Sequence, residues 1–122
     1  MLGLCVLGGI FAEGIDLPGS ALIGTMIVGV GLPMVTVKQE ALRKSLGAHL
    51  GNGFAYAYQY PGMQKVLQAA GRVIRSEEDY GVVILIDSRY FQQDYLRLCP
   101  EHWLFENKSL TDFWKTKPAH LP

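Results

Sequence analysis

The feature that most restricts the fold of this chain is the order of its patterns: an apolar run, two helix-patterned stretches, then a second apolar run. Residues 22–30 are apolar apart from two glycines and Thr25, and they read as a buried strand closed by Leu32-Pro33. Residues 36–50 read as a helix. Thr36 with Gln39 three positions later fits a capping box, Leu42, Leu46 and Leu50 recur at core-facing spacing, and Gly51-Asn52-Gly53 stops the run. Residues 62–75 read as a second helix, with Met63, Val66, Leu67, Ala70, Val73 and Ile74 forming one apolar stripe. Residues 81–86 then bring Val82, Val83, Ile84, Leu85 and Ile86 in succession, the pattern of a central strand. Such alternation predicts an α/β fold with a mostly parallel sheet flanked by helices.

The remaining stretches fit around that frame. Residues 2–7 form a further short apolar run, read as a strand with an edge liable to pair with another chain. Phe54, Tyr56, Tyr58 and Tyr60 alternate as in a strand, yet the intervening alanines and the following Pro61 favour a short helix. Short helices are expected at residues 92–97 and 111–115. Residues 118–122 are expected to fray, leaving one domain over residues 1–117.

Composition sets the outer limits. A chain of 122 residues with 49% hydrophobic residues can bury one core, and its formal net charge of zero gives no global basic field. Basic residues cluster only locally, as with Lys38, Arg43 and Lys44, and a solvated helix face accounts for such a cluster more simply than a nucleic acid does. No apolar run reaches the roughly 18 to 20 residues of a membrane span, and no basic n-region marks a signal peptide. Cys5 and Cys99 are the only cysteines and form no C-x-x-C, so free thiols and a cytoplasmic location are expected. His49, His102 and His120 are too scattered for a metal site.

Two segments carry chemistry. Residues 68–75 read Q-A-A-G-R-V-I-R. On a continuous helix Gln64, Gln68, Gly71, Arg72 and Arg75 fall on the face opposite the apolar stripe. Two guanidinium forks and an amide, with a glycine between them, suit phosphate oxygens whose charge grows in a transition state. A solvated amphipathic face explains the same pattern without chemistry. Residues 8–19 read G-G-I-F-A-E-G-I-D-L-P-G, a glycine-rich loop at the carboxyl end of the first apolar run, where open α/β sheets place their ligands. Glu13 and Asp16 there also fit an ordinary acidic turn.

In this order and spacing, the two segments resemble motifs V and VI of the XPD/DinG family of superfamily 2 DNA helicases. F-A-E-G-I-D-L-P-G is similar to motif V. Q-A-A-G-R-V-I-R, with S-E-E-D-Y-G-V-V-I-L-I-D-S-R-Y after it, is similar to motif VI and its following strand. The resemblance runs from about Leu4 to Trp114 and implies the later part of a second RecA-like domain. There is no G-x-x-x-x-G-K-[ST] phosphate loop and no D-E-x-H-type motif, so the chain reads as a partial RecA-like domain separated from its first RecA-like partner.

The resemblance also implies roles. ATP with Mg²⁺ would bind between the two domains, the metal ligands lying in the first. Arg75 would be the arginine finger, Arg72 its neighbour at the phosphates, and Gln68 a contact to nucleotide or attacking water. Asp16, Gly14, Glu13 and Gly71 would line the nucleotide side. Gly8, Gly9 and Ser20 would meet the backbone of single-stranded DNA. Unwinding from 5′ to 3′ is implied as well. Family members carry a four-cysteine iron–sulfur cluster in the first half of the protein; two cysteines cannot hold one in this chain. Tyr56, Tyr58 and Tyr60 admit a base-stacking role, although packing under the motif VI helix is the simpler expectation. The competing reading is a module that binds nucleotide, DNA or protein without hydrolysis. A flavodoxin-like ligand domain fits less well, because it leaves Arg72 and Arg75 unexplained.

Overall fold

A computed structural model describes residues 3–9, 22–74, 81–106, 111, 112 and 115. Its centre is a parallel strand pair, β1 (Gly24–Val28) and β2 (Val82–Ile86), joined in register from Gly24 opposite Val82 to Val28 opposite Ile86. Between them run helix α1 (Val37–Leu50), a π-helical segment (Ala55–Gln59) and helix α2 (Tyr60–Ala70). After β2 come a 3₁₀ turn (Ser88–Phe91) and the one-turn helix α3 (Gln93–Leu96). The α/β class and the parallel pairing expected from the sequence are both present.

One face of the sheet makes the core. Ile27 of β1 packs with Val30, with Met63, Val66 and Ala70 of α2, and with Tyr90 and Tyr95 beyond β2. Val83 and Leu85 add partly buried area on the same face. Tyr90 also donates its hydroxyl to the Gly29 carbonyl at 2.8 Å, tying the segment after β2 to the end of β1. Burial pushes the Tyr90 phenol up to about 12. The other face stays open: Met26 is 52% exposed and Val28 73%. The expectation of a fully buried strand is therefore corrected, because within the described residues only one face of the pair has a layer against it.

Three further expectations change. Residues 3–6 form no strand, and Leu4 and Val6 are exposed, because among the described residues no strand offers them a ladder partner. Helix α1 ends where expected, at Gly51, whose amide bonds the Gly47 carbonyl. Its Leu42 and Leu50 are nevertheless exposed and none of its residues is buried, since it packs against the π segment rather than the core. The strand over residues 22–30 stops at Val28, ahead of Leu32-Pro33.

The capping box is half formed, and its other half does different work. Thr36 Oγ1 accepts the Gln39 amide at 3.1 Å, as a cap should. The Gln39 side chain does not return to the Thr36 amide; it donates Nε2 to the Ala57 carbonyl. In an α-helix that carbonyl would take the amide of residue 61, and Pro61 has none. The helix instead passes through a π turn, with the Tyr60 amide reaching Ala55, and Gln39 satisfies the orphaned oxygen from the neighbouring helix. Gln39→Leu should cost about 1–3 kcal/mol in denaturant unfolding, the range for stranding a part-buried acceptor. The cost should shrink in a Pro61→Ala background, which returns an amide to that turn; equal costs in both backgrounds would refute the account.

Candidate functional site

Helix α2 is the element that presents the candidate residues. Met63, Val66 and Ala70 are buried, whereas Gln64 and Gln68 are exposed on the opposite side. The helix ends sooner than its sequence pattern suggests. Gly71 caps it, its amide bonding Leu67 O at 2.9 Å, and the amides of Arg72 and Val73 then reach back only three residues, to Ala69 and Ala70. This tight turn sends Val73 into the core and leaves Ile74 exposed. The expected single helical face from Gln64 to Arg75 is thus corrected. Gln68 sits on the last helical turn, and Gly71 and Arg72 stand on the turn beyond it. Arg75 lies outside the described residues, as do Glu13, Gly14, Asp16 and Ser20.

At the start of the glycine-rich loop, residues 6–9 make a tight turn in which the Gly9 amide donates to Val6 O at 2.9 Å. That amide is committed within the turn, so of the two candidate glycines Gly8 is the one left facing outward. Gly8 is exposed, with φ of +84°, a conformation that side-chain-bearing residues rarely adopt. A β-carbon on it would lie 3.2 Å from Lys65 Nζ and 3.3 Å from Lys65 Cδ and Cε. Lys65 of α2 therefore lies along the turn. Sequence reading missed this residue; its spacing three positions after Gly62, on one helix stripe, was the available signal.

A backbone crossing fixes this arrangement. A β-carbon on Gly31 would come within 2.8 Å of both Gly62 O and Leu7 Cδ2, and one on Gly62 within 2.6 Å of Val30 O. The chain after β1 thus runs directly over the first turn of α2, with Leu7 wedged beside it. Leu7, Gly8, Gly62 and Lys65 are held as one corner.

The other charged and aromatic candidates have local roles. Arg43 pairs with Glu40 at 2.9 Å, and Tyr58 donates its hydroxyl to the same carboxylate at 2.6 Å. The hydrogen bond from Arg43 and then that from Tyr58 hold the Glu40 carboxyl below its ordinary range, and the same bond raises the Tyr58 phenol. The expectation that these tyrosines pack under the motif VI helix is corrected: Tyr58, 3% exposed, is buried with its hydroxyl on α1 and its ring against Phe54, and Tyr56 and Tyr60 are each 41% exposed and stack edge-on at 5.1 Å.

At the carboxyl end of β2, Arg89 grips Asp87 through two side-chain bonds of 2.9 and 2.7 Å, and its backbone amide adds a third. The Arg89 guanidinium beside it lowers the Asp87 carboxyl to about 2. A lowered carboxyl stabilises the fold above its unfolded value, about 4, and loses that contribution as pH falls toward the folded value. Wild type should therefore be more stable than Asp87→Asn at neutral pH, with the gap in thermal midpoint closing between about pH 4 and 2; a gap constant across that window would refute the pairing.

Among the described residues no three His, Cys, Asp or Glu side chains gather as a metal site, and no helix is long and apolar enough to cross a membrane. Cys5 is exposed, and burial raises the half-buried Cys99 thiol.

Comparison with known proteins matches residues 1–105 to the family model described as helicase C-terminal domain. The ATP-dependent DNA helicase DinG of Photobacterium profundum is 36% identical over 89 residues, covering 71% of this chain and 13% of the relative. The ATP-dependent DNA helicase chl1 of Schizosaccharomyces pombe is 31% identical over 112 residues, covering 84% of this chain and 13% of that protein. The XPD helicase subunit of the general transcription and DNA repair factor IIH of Dictyostelium discoideum is 29% identical over 107 residues, again covering 84% of this chain and 13% of the relative. The chain thus spans a small fraction of the length of the curated relatives it matches. With a parallel α/β core, a helix whose last turn carries Gln68, Ala69 and Ala70, and a match running through both motif segments, the chain belongs to the helicase C-terminal domain family, in the XPD/DinG group of superfamily 2.

Proposed function

We propose that this chain is the motif V and motif VI portion of a second RecA-like domain in an ATP-dependent DNA helicase, working 5′ to 3′ against a first RecA-like domain of the same parent protein. In this reading the first domain holds ATP and Mg²⁺, and any iron–sulfur cluster lies in that half as well. Arg75 reaches the γ-phosphate as the finger, Arg72 flanks it, and Gln68 orients the nucleotide or the attacking water. Asp16, Gly14 and Glu13 form the coupling loop near the ribose, and Gly71 lets the phosphates approach. Gly8 and Ser20 lie toward single-stranded DNA, where hydroxyls and amides position phosphates without reading sequence, while Gly9, its amide bonded to Val6 O, closes the turn that presents Gly8.

The family match across both motif segments carries the reading. Two features of the fold support it. Helix α2 turns its apolar stripe inward and Gln68 outward, and Gly71 and Arg72 stand on the turn that follows it. The open apolar face of β1 and β2 suits part of a larger α/β domain whose second helical layer lies outside the described residues, since parallel sheets are ordinarily covered by helices on both faces. The test is single-stranded-DNA-stimulated ATP turnover by the full-length parent, wild type against Arg75→Ala. Loss of turnover with DNA binding intact is the expected result; an unchanged rate would remove Arg75 from the reaction and leave this portion of the parent a binding module that takes no part in hydrolysis.

A further inference from the structure

We infer that Lys65 and the turn at residues 6–9 form a phosphate-binding corner. The inference deepens the proposed function, on which it rests, by adding a cation that no motif names. Three observations on the structure converge. The lysine stem lies along Gly8, so that a β-carbon there would meet Nζ, Cε and Cδ at 3.2–3.3 Å. Gly8 is exposed and has positive φ, so the backbone there is bare and open to a ligand. Among the described residues no carboxylate pairs with Lys65, in contrast to Arg43 and Arg89, each of which has one.

The corner is also rigid. Gly62 and Lys65 are three residues apart on α2, hence on one stripe. Gly62 is pinned by the chain after β1, and Leu7, next to Gly8, touches Gly31 in that same crossing. The ammonium is thereby brought to an exposed glycine turn by contacts on both sides. A compact point charge beside bare backbone suits an oxyanion, and a single phosphate oxygen is the ligand of that size and charge. A DNA phosphodiester and a nucleotide phosphate present the same group, and the experiment separates them.

Lys65→Met keeps an unbranched stem over Gly8 and removes only the charge; Lys65→Arg keeps the charge. Both are made in the full-length protein, with thermal unfolding checked. One arm titrates an oligo(dT) strand without nucleotide at several salt concentrations. The other titrates a non-hydrolysable ATP analogue with Mg²⁺ and no DNA. The expected result is a loss on the order of tenfold in DNA affinity for Lys65→Met. Its log–log salt slope should be smaller by about 0.7, one phosphate's share on a single strand, with Lys65→Arg keeping the slope. Loss confined to the ATP analogue would also support the corner and assign its phosphate to the nucleotide. Wild-type affinities in both arms for Lys65→Met would overturn the inference while leaving the helicase reading intact. A wild-type protein that binds neither ligand would overturn both.

Discussion

Arg75→Ala is expected to lower single-stranded-DNA-stimulated ATP turnover by the parent protein by roughly 10³ to 10⁵, with DNA affinity unchanged. The reason is where the charge goes. Phosphoryl transfer spreads charge over the oxygens of the departing group, and a guanidinium placed there acts mainly in the transition state. Loss of such an interaction lowers kcat and kcat/KM together, whereas loss of a ground-state contact raises KM alone. Arg75→Lys should recover little, because a lysine offers a point charge where two parallel N–H donors are needed. Arg72→Ala and Gln68→Ala should do less harm than Arg75→Ala, and any KM effect should appear at these two positions. A KM-only defect in Arg75→Ala would move this residue from the reacting phosphate to a binding role. Turnover by the isolated chain that depended on Arg75 would contradict the reading more directly, since the phosphate loop and metal ligands are assigned to another domain.

The legible parts of the sequence were those governed by local chemistry. The Thr36 cap, the Gly51 stop and both strands of the parallel pair follow from residue type and period alone, and the structure has them. Long-range compensation was not legible. Nothing near Pro61 reveals that Gln39, on another helix, supplies the donor that the proline lacks. A glutamine three residues after a threonine reads as a reciprocal cap until its side chain is seen to leave. Leu42, Leu46 and Leu50 show how periodicity gives a face but not what lies opposite it; here the facing element is the π segment, and the core is elsewhere.

The candidate site divides along the same line. The sequence placed Gln68 on an outward helical face and Val66 and Ala70 inward, which is a matter of period. It carried the helix past Gly71, because Val73 and Ile74 continue the apolar spacing, and the turn that buries one and exposes the other depends on what each meets in three dimensions. Lys65 went unmarked because a lone lysine on an amphipathic helix reads as solvated surface. Only its approach to Gly8, far away in the chain, sets it apart from such a surface. Motifs are visible along a chain, whereas a corner made where two segments cross is visible only once they have crossed.

The same crossing predicts the largest effect on stability. Gly62→Ala should destabilise the domain by about 2–4 kcal/mol, while Gly47→Ala, the same change within α1, should stabilise it by about 0.5–1 kcal/mol. Helix propensity alone favours alanine at both places by similar amounts. What differs is the space. At Gly47 the new methyl would meet Gly53 N and Cα at 3.5 and 3.6 Å, ordinary contact. At Gly62 it would meet Val30 O at 2.6 Å, with Gly31 C and Leu32 N at 3.1 Å, all backbone atoms that no rotamer change can move aside. The chain after β1 would have to lift off α2, taking buried Val30 with it and loosening Leu7. That cost exceeds the gain in propensity, so the sign reverses. Gly31→Ala should be at least as harmful, since it adds a φ of +64° to contacts of 2.8 Å. Denaturant unfolding of the three variants under one condition decides the matter. If Gly62→Ala matched Gly47→Ala in sign, the backbone crossing would not be what holds α2 against β1, and the rigid corner around Lys65 would lose its foundation.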